Sequence, residues 1–115
     1  MPGKMIDSYS FGNIRIGGKE YTNDVIIIGS KVISWWRQEG HFAQVPDFKD
    51  IPDSIEIIVI GTGASGVMKV ADEVVELFKK KKIRVIMEMT GTAVNTFNKL
   101  SEENKKVAGA FHLTC

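Results

Sequence analysis

The stretch Ile55-Glu56-Ile57-Ile58-Val59-Ile60-Gly61-Thr62-Gly63-Ala64-Ser65-Gly66 decides the fold class of this chain. Its first six residues form a strongly apolar, β-branched run of strand type. The glycine-rich turn Gly61–Gly66 follows, and then Val70, Val74, Leu77 and Phe78 recur at helical spacing within Val67–Lys82. Ile83–Met89 returns as a strand. A right-handed crossover makes Ile55–Ile60 and Ile83–Met89 parallel neighbours in one sheet. Thr90 or Thr92 can cap a second helix, with Ala93, Phe97 and Leu100 on one face and an end near Lys106. Val107–Leu113 forms a last strand that can join the same sheet. Residues 55–115 therefore read β-α-β-α-β, which makes the chain an α/β protein.

Upstream the texture changes. Ile6–Phe11 alternates apolar and polar residues, Gly12-Asn13 turns, and Ile14-Arg15-Ile16 resumes the alternation. Gly17-Gly18 suits a hairpin, from which Lys19-Glu20-Tyr21 returns. Val25–Ile28 is continuously β-branched, the mark of a strand covered on both faces. Gly29-Ser30 turns the chain into a further strand, Lys31–Trp36. Residues 6–36 thus read as an antiparallel meander. Residues 37–54 form a connector holding Pro46 and Pro52, with a short helix at Asp47–Asp50. Residues 1–5 are expected to contribute little, and the whole chain, 1–115, reads as a single domain.

The turn itself matches G-x-G-x-x-G at Gly61, Gly63 and Gly66. In this reading it follows a strand and opens a helix, the setting of a dinucleotide fingerprint, and Glu88 stands near the end of the next strand. Backbone N–H groups of Gly61, Thr62, Gly63, Ser65 and Gly66 at a helix N-terminus could cradle a small anion. A dinucleotide domain, however, requires two mononucleotide halves, and the chain holds one. Glycines are also what any tight strand-to-helix turn requires. The primary reading is therefore a structural turn, with an anion cradle as the alternative. Val67-Met68 stands where a P-loop has lysine and Ser/Thr.

The 115 residues carry a net charge of +1, which points to neither nucleic acid nor a basic partner. The basic run Lys79–Lys82 lies at the end of the first helix, where cations meet its negative pole. No apolar run approaches a membrane span. Cys115 is the single cysteine, which suits a reducing compartment, and no signal peptide is evident, so a cytoplasmic location is expected. His41, His112 and Cys115 lack metal-ligand spacing, and no cofactor is implied. Ser65 is not in a G-x-S-x-G setting, and Cys115 lacks a base, so no catalytic residue is assigned.

Trp35, Trp36, Arg37 and His41 are the remaining conspicuous group. Alternation sends the two tryptophans to opposite faces, so at least one is core. The primary reading is that one tryptophan packs and Arg37 caps a local carboxylate; the alternative makes the cluster a ligand- or partner-binding site, since tryptophan and arginine dominate binding hot spots.

Four motifs together resemble a known family. They are Ile60-Gly61-Thr62-Gly63, Thr90-x-x-Ala93-x-x-x-Phe97-Asn98-x-Leu100, the Phe111-His112-x-Thr114-Cys115 segment, and Trp36-Arg37-x-x-Gly40-His41. They are similar to the small domain family of the adipogenesis-associated domain protein, to which a mitochondrial complex I assembly factor is more distantly related. The resemblance implies a three-layer fold around a central mixed sheet with an N-terminal strand layer. It implies no catalytic residues, and association with an unidentified protein partner. The expectation is a non-catalytic binding, assembly or regulatory module. The alternative is a small ligand- or nucleotide-binding domain, with or without enzymatic activity, that uses the Gly61–Gly66 turn as an anion cradle. Exposed strand edges also suit a homodimer.

Overall fold

The computed structural model describes residues 5–115. The expectation made for residues 1–5 falls outside the described residues at 1–4. Ten strands and two α-helices follow in the order β1 (Ile6–Ser10), β2 (Asn13–Ile16), β3 (Lys19–Tyr21), β4 (Val25–Ile28), β5 (Lys31–Ser34), β6 (Phe42–Ala43), a 3-10 turn (Val45–Phe48), β7 (Ile57–Thr62), β8 (Lys69–Val70), α1 (Asp72–Lys80), β9 (Arg84–Glu88), α2 (Thr90–Glu102) and β10 (Val107–His112).

The central sheet has the order β5-β4-β10-β7-β9. It is mixed: β10–β7 and β7–β9 are parallel, while β10–β4 and β4–β5 are antiparallel. The last strand of the chain therefore lies at the centre. Each of its six residues is buried, and Gly109 makes that packing possible. A Cβ there would stand 2.4 Å from Phe111 Cε2 and 2.9 Å from Phe97 Cδ1. Those two rings meet edge to face with centroids 5.7 Å apart, a favourable aromatic geometry.

Each face of the sheet carries its own core. On one face Ile26, Ile58, Ile60 and Ala110 pack with Val74 and Phe78 of α1 and Phe48 of the 3-10 turn. On the other, Ile27, Val59 and Phe111 pack with Ala93 and Phe97 of α2 and with Ile6, Ile14 and Ile16 of β1 and β2. The result is the expected three-layer α/β architecture.

Several boundaries differ from the sequence reading. The N-terminal meander divides into two sheets: β1-β2-β3 stands alone, while the β4–β5 hairpin joins the central sheet through β10. The cause is polarity. β1 and β2 bury Ile6, Ile14 and Ile16 but expose Asp7, Ser8 and Arg15, so they can cover a layer and no more. Val25–Ile27, buried on both faces, requires an interior position.

The helix expected over Val67–Lys82 is restricted to Asp72–Lys80. Residues 67–71 are held extended instead: Lys69 N–H donates to His41 O and Ala71 N–H to Ala43 O, making a parallel β6–β8 pair. Conversely, Gly61 and Thr62 extend β7 rather than turn. The short connector helix falls at Val45–Phe48, slightly before the expected Asp47–Asp50. α2 stops at Glu102, ahead of Lys106, because Asn104 adopts a left-handed φ of 60°. Asp72 and Glu73 open α1 and Lys79 and Lys80 close it, each complementing the helix dipole.

Candidate functional site

The parallel strands β7, β9 and β10 all end at one edge of the sheet, at Thr62, Glu88 and His112. In open α/β sheets this carboxyl edge is where sites form. The antiparallel β4 starts there, and β5 ends there, so the edge also receives Asp24 and Trp35–Arg37.

Asp24 is the centre of this edge. Its Oδ2 lies 2.7 Å from Arg37 Nη2 and 2.7 Å from His112 Nδ1, while its Oδ1 accepts from Leu113 N–H at 2.8 Å. Arg37 Nη2 also donates to Gly40 O at 2.8 Å. Arg37 Nη2 also lies 3.1 Å from His112 Nδ1, but its two hydrogens go to Asp24 Oδ2 and Gly40 O, and an ionised carboxylate only accepts, so the arrangement is coherent when His112 Nδ1 carries its proton and donates to Asp24. The side chains of Arg37 and His112 are each only 5% exposed. Burial pushes the Asp24 carboxyl upward, but the hydrogen bonds from His112, Leu113 and Arg37, with the charge of Arg37, outweigh it. The net result is a pKa held below the ordinary carboxylate value. Tyr9, whose hydroxyl donates to Leu113 O at 2.8 Å, is pushed up by burial and then by the Asp24 charge.

The cluster also fixes the tryptophans. The Arg37 guanidinium stacks 4.4 Å from the Trp35 ring centre, and the Trp35 indole N–H donates to Asp47 O at 2.9 Å. Trp35 is buried while Trp36 is 75% exposed. Opposite orientations were expected from strand alternation, although β5 ends before both residues, at Ser34. The carboxylate that Arg37 meets is Asp24, across the β4–β5 hairpin. Arg37 Nε, Arg37 Nη1 and His112 Nε2 are buried with no hydrogen-bond partner among the described residues. The Asp24–His112 pair is therefore not extended to a hydroxyl or thiol. His41 is exposed and places its ring edge-on to His112 at 5.5 Å, bringing together two histidines far apart in the chain.

The Gly61–Gly66 turn has a different setting from the one its sequence suggests. No helix begins at it, since α1 starts at Asp72. Two of its N–H groups, and that of the adjoining Val67, meet the chain's own segment Thr114–Cys115. Ala64 N–H donates to Thr114 O at 2.7 Å, and Val67 and Ser65 N–H donate to Cys115 O at 3.0 and 3.3 Å. Gly63 N–H donates to Thr90 Oγ1, and Gly66 N–H to Gly63 O. Thr90 does not cap α2, as the sequence suggested. Its hydroxyl, fully buried, donates to His112 O at 2.6 Å and ties β10 to the turn. Gly61 leaves space for that hydroxyl, because a Cβ there would stand 2.8 Å from it. Of the expected cradle residues, Gly61 and Thr62 belong to β7, Gly63 donates to Thr90, Gly66 to Gly63 O, and Ser65 to Cys115 O.

Asp24 was not singled out in the sequence. Its one signal is position: an acid directly before the buried run Val25–Ile27, where it must stand at a sheet end. Thr90 carried the signal of a helix cap and of the motif Thr90-x-x-Ala93.

A five-stranded mixed sheet, covered by helices on both faces, with its carboxyl edge closed by an Asp–Arg–His cluster and by the Leu113–Cys115 segment, defines a small three-layer α/β domain. The chain belongs to the family described as protein of unknown function (DUF498/DUF598), which matches residues 6–112. It is 30% identical over 111 residues to NADH dehydrogenase (ubiquinone) 1 alpha subcomplex assembly factor 3 of Danio rerio, covering 94% of this chain and 63% of that protein. The chain thus spans less than two thirds of the length of this relative. Among solved structures, a conserved hypothetical protein of Pyrococcus horikoshii OT3 superposes with a TM-score of 0.87 at 22% identity, covering 96% of this chain and 98% of that one. A protein described as an outer membrane protein from Bartonella henselae superposes with a TM-score of 0.85 at 28% identity, covering 99% and 98%. No helix among the described residues is long and apolar enough to cross a membrane.

Proposed function

We propose that the chain is a non-catalytic binding module with an assembly or regulatory role, and that Trp36, backed by Trp35, Arg37 and His41, is the centre of its partner-binding surface. The observation that carries this reading is the 75% exposure of Trp36 between two immobilised neighbours. Trp35 is anchored through its indole N–H and Arg37 through Asp24, so Trp36 is displayed at little entropic cost. It forms the ridge between two clefts of about 390 and 320 Å³, one beside Asn23 and Thr114, the other beside Pro46 and Lys49. A rigid exposed aromatic flanked by clefts is the geometry of a hot spot. The likeness to a protein named as an assembly factor supports the same class of role. The lone exposed thiol of Cys115 suits a reducing compartment, and the cytoplasm is the location proposed.

Trp36→Ala is expected to leave the melting temperature within about 3 °C of wild type, because an exposed side chain contributes little to stability. Binding is expected to fall at least about tenfold, with Trp36→Phe retaining part of it. Quantitative mass spectrometry of proteins co-isolated with the tagged chain from its own host checks this. An unchanged partner set for Trp36→Ala would overturn the reading.

The second reading, a small-anion site at Gly61–Gly66, requires Thr114–Cys115 to leave the turn. Thermal-shift titration with nucleotides, phosphosugars and acyl-coenzyme A is expected to give no shift. A ligand at about 100 times its dissociation constant would add roughly 2.7 kcal/mol and be readily visible.

A further inference from the structure

The central sheet has two edges, β5 and β9, and they differ in composition. β9 reads Arg84-Val85-Ile86-Met87-Glu88, with Met87 48% exposed. It contains no proline and no bulge, the usual protections of a strand edge. A basic residue opens it and an acidic residue closes it, so the strand is complementary to itself when reversed.

The backbone specifies one register. Arg84 N–H donates to Glu56 O, toward β7. By the alternation of a strand, Arg84, Ile86 and Glu88 turn their peptide groups to β7, while Val85 and Met87 turn theirs outward. On either side one outward group is already engaged: Ile83 N–H donates to Phe78 O, and Met89 O accepts from Thr92 and Ala93. An antiparallel strand that uses all the free groups must therefore pair Val85 with Met87 and Met87 with Val85. In a second copy of the same strand, that register sets Ile86 opposite Ile86 on a two-fold axis. It also sets Arg84 opposite Glu88, twice.

We propose that β9 is a homodimer interface, joining two copies of the chain antiparallel through Val85 and Met87 into one continuous ten-stranded sheet. The side chains agree with the hydrogen bonds. On the α1 face, Val85, half-buried against the core, receives the exposed Met87 of the second copy. On the α2 face, Ile86 meets its own equivalent, flanked by two Arg84–Glu88 pairs. Glu88 is already oriented, since its Oε1 accepts from Thr96 at 2.7 Å, leaving the other oxygen for arginine. Isologous pairing of this kind closes on itself and leaves no further β9 edge to extend a polymer. The other edge lacks this property: β5 reads Lys31-Val32-Ile33-Ser34, and reversal gives its lysine no acidic partner.

Sedimentation of the full chain from about 10 µM to about 1 mM, the range in which a small interface associates, tests the proposal. Wild type is expected to dimerise. Arg84→Glu and Glu88→Arg are each expected to be monomeric, because each places like charges opposite one another twice. An equimolar mixture of the two variants is expected to form the heterodimer, in which both pairs are again opposite in sign. Met87→Pro is expected to be a folded monomer, because it removes an outward N–H and none of the bonds to β7. A monomeric wild type at the highest concentration, a mixture that fails to associate, or a dimer indifferent to Arg84→Glu and Met87→Pro would each overturn it.

Discussion

Gly63→Ala is expected to destabilise the chain by about 3 kcal/mol or more, an exceptional loss for the addition of one methyl group. Two causes act together. Gly63 has φ +111°, a conformation that residues with a side chain rarely adopt, and holding alanine there is itself costly. The added Cβ would also stand 2.3 Å from the Cys115 carbonyl carbon and 2.8 Å from Thr114 O, and both are backbone atoms. Relief requires Thr114–Cys115 to leave the turn, which breaks the bonds from Ala64, Ser65 and Val67. Urea or thermal unfolding measures the loss. The mechanism has a separate signature. In a chain lacking Thr114 and Cys115 the steric part disappears, so Gly63→Ala should cost at least about 1 kcal/mol less there than in the full chain. Equal costs in both backgrounds would assign the whole effect to φ.

Asp24→Ala is the second large effect, with an expected loss of about 3–5 kcal/mol. The substitution leaves the Arg37 charge buried without its carboxylate, and it also removes the acceptor of His112 Nδ1 and Leu113 N–H. Arg37 further packs on Trp35, so the loosening should reach the tryptophans, and Trp fluorescence should report it. Asp24→Asn, which keeps the shape, should cost less. The pH dependence has a definite sign. The folded carboxyl titrates below its unfolded value, so the unfolded chain binds the proton more readily. The Asp24 contribution is complete above the ordinary aspartate range. It declines as the pH falls through that range and is lost below the folded pKa. Wild-type stability should therefore fall with acidification in a way that Asp24→Asn largely lacks. Parallel acid-denaturation curves for the two proteins would show that the cluster does not carry this term.

The two effects concern neighbouring parts of one edge. His112 O accepts from Thr90, whose hydroxyl accepts from Gly63, while the adjoining Leu113 N–H donates to Asp24. The segment after β10 thus connects the glycine turn to the charged cluster. Trp36 is displayed at the same edge, beside Thr114, so loosening at either position should be felt at the proposed binding surface.

The α/β class, the parallel β7–β9 pair, both helices and the buried character of Val25–Ile27 were legible in the sequence. They rest on local periodicity and β-branched runs, which neighbouring residues specify among themselves. The Trp35/Trp36 division matches the expectation, although β5 ends at Ser34 and strand alternation does not produce it. Tertiary structure decided what depends on partners distant in the chain. β10 became the central strand because Gly109 admits Phe97 and Phe111. Residues 67–71 remained extended because His41 and Ala43 offer them backbone acceptors, which a helix starting at Val67 would forgo. The meaning of the Gly61–Gly66 turn changed most. Three glycines state only that the backbone bends and comes close to something. The fold supplied the neighbour, the Thr114–Cys115 segment, since hydrogen bonds between residues some fifty positions apart leave no periodic trace in the sequence.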